Sequence, residues 1–167
     1  MRPHLEYGAP VWSPYVGKLA ELVENVQRRA TKTIPGFFDL SYPARLQKLK
    51  LPTMAYRRIR GDMIQVYKML NKGYDSSLPC ILPLNSSNQR GHDKKLNVRH
   101  AHLHIRKYNF SHRVVRLWND LPDHVVNAKD ILDFEKGMDE HWADQNVVYK
   151  DHKAEIILKN LPARYRD

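Results

Sequence analysis

The chain has 167 residues, of which 42% are hydrophobic, and 28 Lys and Arg stand against 18 Asp and Glu, a formal net charge of +10. That length and apolar content support a buried core and exclude a disordered basic tail. A mean hydropathy of −0.64 without a long apolar run excludes a transmembrane helix.

Taken in chain order, the opening MRPHLEYGAPVWSPY carries Pro3, Pro10 and Pro14 and reads as extended or loop, because proline fixes φ and removes a donor. A helix follows. Leu19, Leu22, Val23, Val26 and Ala30 form one apolar stripe at helical spacing, and Pro35 and Gly36 end it. Ser41 is the expected N-cap of a short helix with Pro43 in its first turn and Leu46 and Leu49 inward. Thr53 is the expected cap of a longer helix to about Asn71, with the stripe Ala55, Ile59, Met63, Val66 and Leu70 and with Gly61 at its middle. Residues 74–93, rich in Pro, Ser and Asn, read as a linker or long loop. Loose alternation through Leu96, Val98, Leu103 and Ile105 predicts a strand or small hairpin over 94–108. Helical spacing returns with Phe110, Val114, Leu117, Trp118 and Leu121, where Ser111 is the expected cap. Asp130 is the expected cap of a last strong helix with the stripe Ile131, Phe134, Met138 and Trp142. A short helix through Ala154, Ile157, Leu158 and Leu161 is expected in the basic tail. The expected fold is mainly α, a helical bundle with a small strand or β-hairpin near 94–108. Its expected organisation is a helical segment 1–73, a linker 74–93, a strand-plus-helix segment 94–146 and a basic tail 147–167.

The charge is segregated. Residues 28–72 carry net +9 and residues 89–118 net +7, while 119–146 carry net −6. Such blocks suit charged faces, and two basic blocks point to an anionic partner. The candidate phosphate-binding residues are Arg28, Arg29, Lys32, Arg57, Arg58, Arg60, Arg90, Lys94, Lys95, Arg106, Lys107 and Arg113. Arg offers a planar fork of donors to phosphate oxygens and Lys a point charge. Tyr108 and Phe110 lie among these charges, where rings can stack on unpaired bases, although Phe110 also begins an apolar stripe.

Signals for catalysis are weak. The chain has no Gly-rich phosphate loop, no G-x-S-x-G elbow and no adjacent pair of aspartates. His100, His102 and His104 form H-x-H-x-H, which on a strand shares one face and can ligate zinc or copper, or can simply be a polar strand face. Asp123 with Asp151 and Lys153 loosely matches a nuclease pattern, without evident strands to hold a metal. The single cysteine, Cys80, excludes an internal disulfide framework and a multi-cysteine zinc site, and it has no activating base nearby in sequence. No charged segment leads into an apolar run as in a secretory signal. An intracellular place, nuclear or cytoplasmic, is the expectation.

Four runs in order, MRPHLEYGAPVWSPY, ELVENVQRRATKTIPG, LSYPARLQKLKLPTMAYRRIRGDMIQVYKMLN and NFSHRVVRLWNDLPDHVV, resemble one family across residues 1 to roughly 150. It is the C-terminal region of reverse transcriptases from LINE-type, non-LTR retrotransposons of the jockey-like kind. The resemblance implies the thumb and following segment of an RNA-directed DNA polymerase, gripping RNA template and growing cDNA. It also implies that the family's (F/Y)-x-D-D motif, its other metal-binding aspartate and any Mg²⁺ belong to a palm upstream, with an endonuclease domain further upstream. None of these is in this sequence, so the expectation is a truncated fragment with no cofactor of its own and no polymerase activity alone. Its expected partners are RNA, RNA–DNA hybrid or DNA, with no membrane. The alternatives are a standalone basic nucleic-acid-binding or protein-interaction module, and a metal-dependent nuclease.

Overall fold

The computed structural model describes residues 2–71, 82–85, 91–97 and 101–159. The described residues form ten helices: α1 (Arg2–Glu6), α2 (Ala9–Trp12), α3 (Gly17–Lys32), α4 (Tyr42–Leu49), α5 (Met54–Asn71), α6 (His104–Lys107), α7 (Phe110–Asp120), α8 (Asp123–Val126), α9 (Ile131–His141) and α10 (Asn146–Tyr149). The fold is mainly helical, as its periodicity predicts. The chain divides into two compact units, Met1–Gly61 with Ala143–Ile156 and Asp62–Trp142 with Ile157–Asp167. The division falls within α5.

Several local expectations are met by side-chain chemistry. Ser41 caps α4 by accepting from Ala44 N at 3.4 Å. Thr53 Oγ1 accepts from Tyr56 N at 3.1 Å at the start of α5 and donates to Val147 O at 2.6 Å. Asp130 Oδ1 accepts from Asp133 N at 2.8 Å at the start of α9. Each satisfies a donor that the first helical turn leaves without an intrahelical partner.

In the first unit α3 buries its polar side. Glu24, Gln27 and Thr31 are buried, while Leu19 and Leu22 are 51% and 58% exposed. The reason is the N-terminus of α5. Glu24 Oε1 and Oε2 accept from Met54 N and Ala55 N, each at 3.3 Å, and the Tyr42 hydroxyl donates to Glu24 Oε1. A carboxylate there satisfies two orphan N–H groups and faces the positive end of the helix dipole. Burial, together with the Glu24 carboxylate, pushes the Tyr42 phenol well above its ordinary pKa. Gln27 Nε2 donates to Pro52 O at 3.0 Å, and Thr31 Oγ1 accepts from Arg45 Nε at 3.3 Å. Half-buried Val26 and exposed Ala30, at the edge of the apolar stripe, line with Gln27, Thr31, Leu51 and Met54 an apolar pocket of about 150 Å³.

In the second unit the expected stripes of α7 and α9 do meet. Phe110, Val114, Trp118, Leu121, Phe134, Met138 and Trp142 are buried. The Tyr67 and Phe134 rings stack at 4.5 Å, and Trp118 lies 5.9 Å from Phe134. Two polar groups among these rings are matched: Tyr67 Oη donates to Ala128 O at 2.7 Å, and Trp118 Nε1 to Lys94 O at 2.8 Å.

Four expectations are corrected. The proline-rich opening contains α1 and α2, with Pro10 in the first turn of α2, a position whose missing N–H costs nothing. The strand over 94–108 is not formed among the described residues. A single antiparallel bridge joins Leu84 and Leu96, and residues 104–107 are helical. Asn119 takes the place of a neighbouring strand, accepting from Leu96 N at 2.8 Å and donating to Leu96 O at 2.9 Å. The N-cap of α7 is Asn109, two residues before Ser111. Residues 154–159 of the expected tail helix are not helical, and Leu161 lies outside the described residues. Most of the expected linker 74–93 is likewise outside them, but Leu82 and His92 within it are buried.

Candidate nucleic-acid interface

The twelve candidate cations separate by what their side chains touch. Arg29 is exposed on α3 and Arg106 on α6, each without a carboxylate partner among the described residues. Lys32 and Lys107 are exposed, with their ammonium groups 4.6 Å from the Phe38 ring centroid and 5.8 Å from that of Tyr108. Arg28 is half-buried, donating to Asn25 Oδ1 at 2.9 Å with its guanidinium 5.0 Å from the Tyr42 ring.

Others are engaged inside the fold. Arg57 forks onto Glu6, with Nη2 to Oε2 at 2.7 Å. Arg113 forks onto Asp62 at 2.8 and 3.0 Å and also donates to Tyr108 O at 3.3 Å. These planar two-point pairs are what guanidinium geometry favours, and each takes up one edge of the guanidinium that a phosphate could otherwise use. Arg58 is buried and Arg60 half-buried. Lys94 donates to Asn71 Oδ1 at 2.7 Å, and Lys95 is half-buried. Arg90 lies outside the described residues.

Sequence spacing could not separate these classes, because Arg57 and Arg29 look alike until Glu6 arrives from fifty-one positions away. Phe110 is a core residue, whereas Tyr108 is half-buried. Two further aromatic residues, Phe37 and Phe38, stand outside the candidates named from sequence. Both lie in the α3–α4 connection beside lysines, and the adjacent FF pair in a basic block was the available signal.

Of the H-x-H-x-H histidines, His100 lies outside the described residues, and between the other two no strand face is shared, since His102 is exposed in a bend and His104 starts a helix. Asp151 Oδ1 accepts from Lys153 N at 2.9 Å, and Lys153 Nζ lies 3.8 Å from Glu21. Asp123 accepts from Asn127 Nδ2 at 3.1 Å. Among the described residues no group of three or more His, Cys, Asp or Glu is arranged to hold a metal ion. Cys80 lies outside those residues. Among them, too, no helix is long and apolar enough to cross a membrane.

No protein-family model, curated protein or solved structure matches this chain.

Proposed function

We propose that this chain is a nucleic-acid-binding segment of the reverse-transcriptase type, one that grips RNA template or RNA–DNA hybrid by phosphate contacts and carries no polymerase carboxylates of its own. The observation that carries this reading is the set of exposed cations Arg29, Lys32, Arg106 and Lys107 on a chain of net charge +10. The ordered motifs that resemble the region after the palm support it. Two-metal polymerase chemistry needs carboxylates holding ions about 4 Å apart, and this sequence has no adjacent aspartates to supply them. What remains is electrostatic grip, sequence-tolerant and weakened by salt through counterion release.

The test is fluorescence anisotropy with a labelled RNA–DNA hybrid and a labelled single-stranded RNA across a salt series. Log affinity is expected to fall linearly with log salt. Replacing Arg29, Arg106 and Lys107 with Gln should reduce the slope by about 0.7–0.9 for each phosphate no longer neutralised. Absence of binding to either probe at low salt overturns the reading.

A protein-interaction module is the second reading, favoured by the outward Leu19 and Leu22 of α3. Self-association without nucleic-acid affinity would support it over the first.

A further inference from the structure

The α3–α4 connection carries a cluster that joins Lys32 to three residues outside the twelve candidates, Phe37, Phe38 and Lys48. Phe38 is 66% exposed, with Lys32 Nζ 4.6 Å from its ring centroid. Its neighbour Phe37 is half-buried, with Lys48 Nζ 4.8 Å from its centroid. The two lysines come from different helices, Lys32 from the last turn of α3 and Lys48 from that of α4. Both rings therefore sit among ammonium groups at the junction of two helix ends.

The segment that presents them is held in place. Phe37 N donates to Ile34 O at 3.1 Å and Leu40 N to Phe37 O at 3.3 Å, closing consecutive turns. Gly36 occupies φ 78, a left-handed conformation that its missing Cβ makes inexpensive. Buried Arg45 staples the connection, donating from Nη1 to Leu40 O at 2.6 Å and from Nε to Thr31 Oγ1 at 3.3 Å. Burying a cation to fix a surface turn is costly, and here three acceptors offset it, the third being Arg28 O at 3.5 Å.

The surroundings favour an anion. Residues 28–50 hold six Lys and Arg against one acidic residue, Asp39. Arg29, Lys48 and Lys50 are exposed there along with Lys32. A large exposed aromatic ring in such a field has no core to join. With the Lys32 ammonium over one face of the ring, the exposed remainder of Phe38 offers π-surface that an unpaired base can cover while the adjoining phosphates meet the ammonium groups. Paired bases are already stacked within a duplex and gain little from such a ring, so the geometry selects for single strands.

We propose that Phe37 and Phe38, with Lys32 and Lys48, form a stacking platform for unpaired nucleotides of a single-stranded nucleic acid. This rests on the nucleic-acid reading above and specifies the form of its ligand. The decisive substitution is Phe38→Leu, which keeps an apolar side chain but removes the ring. At 66% exposure Phe38 contributes little to folding, so this variant should fold, as circular dichroism would verify. Phe37→Leu and the conservative Phe38→Tyr complete the set.

Affinity for a twelve-nucleotide single-stranded RNA is measured beside affinity for a twelve-base-pair RNA duplex and for polyglutamate. Loss of one stacked base should weaken single-strand binding about 5- to 150-fold. Duplex binding and the salt slope should be unchanged, and Phe38→Tyr should restore the affinity. If the wild-type protein binds RNA in a salt-dependent way and neither Leu variant loses single-strand affinity, the platform is overturned while the general reading stands. If the wild type binds neither RNA, both fall. If Phe38→Leu abolishes binding to polyglutamate and leaves RNA untouched, the cluster serves an acidic protein segment and the proposal is overturned.

Discussion

Two glycines inside helices show how one substitution can take opposite signs. Gly61 lies in the interior of α5, and a Cβ built there meets nothing within 4 Å. Gly61→Ala should raise stability by about 1 kcal/mol, the usual cost of glycine in a helix, read as a higher denaturation midpoint. Gly137 in α9 differs, because its Cβ would lie 3.0 Å from Cγ2 of Val125, a buried β-branched side chain with little freedom to turn aside. Gly137→Ala should forfeit the gain and cost about 1–2 kcal/mol through overpacking. His92 carries a pH prediction. Burial, aided by nearby Lys95, lowers its pKa, while its ring Nε2 meets Trp118 O at 3.1 Å. A lowered base binds more protons unfolded than folded, so its stabilising share is present above about pH 6.5 and is lost as the pH falls from there through the folded value. Thermal denaturation of His92→Gln should therefore show a shallower loss between about pH 7 and pH 5 than the wild type.

At the scale of elements, α3 is the informative one. Its apolar residues follow helical spacing, yet its buried side is Glu24, Gln27 and Thr31. The helix itself was legible from the sequence; its orientation was not. A helix turns its apolar stripe inward by default, but here the orphan N–H groups at the start of α5 attract a carboxylate. Glu24→Ala should cost about 2–3 kcal/mol, since it leaves buried donors without their acceptor. The double substitution of Leu19 and Leu22 with Gln should stay within about 0.5 kcal/mol, because both are already exposed. Chemical denaturation of the two variants side by side checks both; a larger loss from the leucine pair would mean that the outward face is buried in solution. The Asp62–Arg113 fork tests the neighbouring point. The Asp62 side chain is only 6% exposed, so Arg113→Ala should destabilise the protein, because it takes a two-point guanidinium partner from a buried carboxylate. Loss of nucleic-acid affinity at unchanged stability would instead assign Arg113 to the interface.

For the whole molecule, the two units redistribute the charge that the linear blocks suggested. The unit containing Met1–Gly61 carries net +6 and the one containing Asp62–Trp142 net +4, because the acidic stretch falls in the second with the 89–118 block. Binding should accordingly lose more salt dependence when Arg29 and Lys48 are neutralised than when Arg106 and Lys107 are. Comparing log–log salt slopes of the two double variants checks this, and equal slopes would count against the first unit as the main contact with an anionic partner.

The sequence by itself determined the helical character, the caps at Ser41, Thr53 and Asp130, and the aromatic core stripes of α7 and α9. These follow from neighbours within a turn or two, where side-chain spacing and capping chemistry act locally. Tertiary structure alone decided which cations are engaged, which face of α3 turns inward and what becomes of the alternating segment after Lys94. Each depends on a partner distant in sequence: Glu6 for Arg57, Asp62 for Arg113, the start of α5 for Glu24 and Asn119 for Leu96. A basic residue's charge is fixed by its type, but its availability to a phosphate is fixed by whatever acceptor the fold has already brought to it.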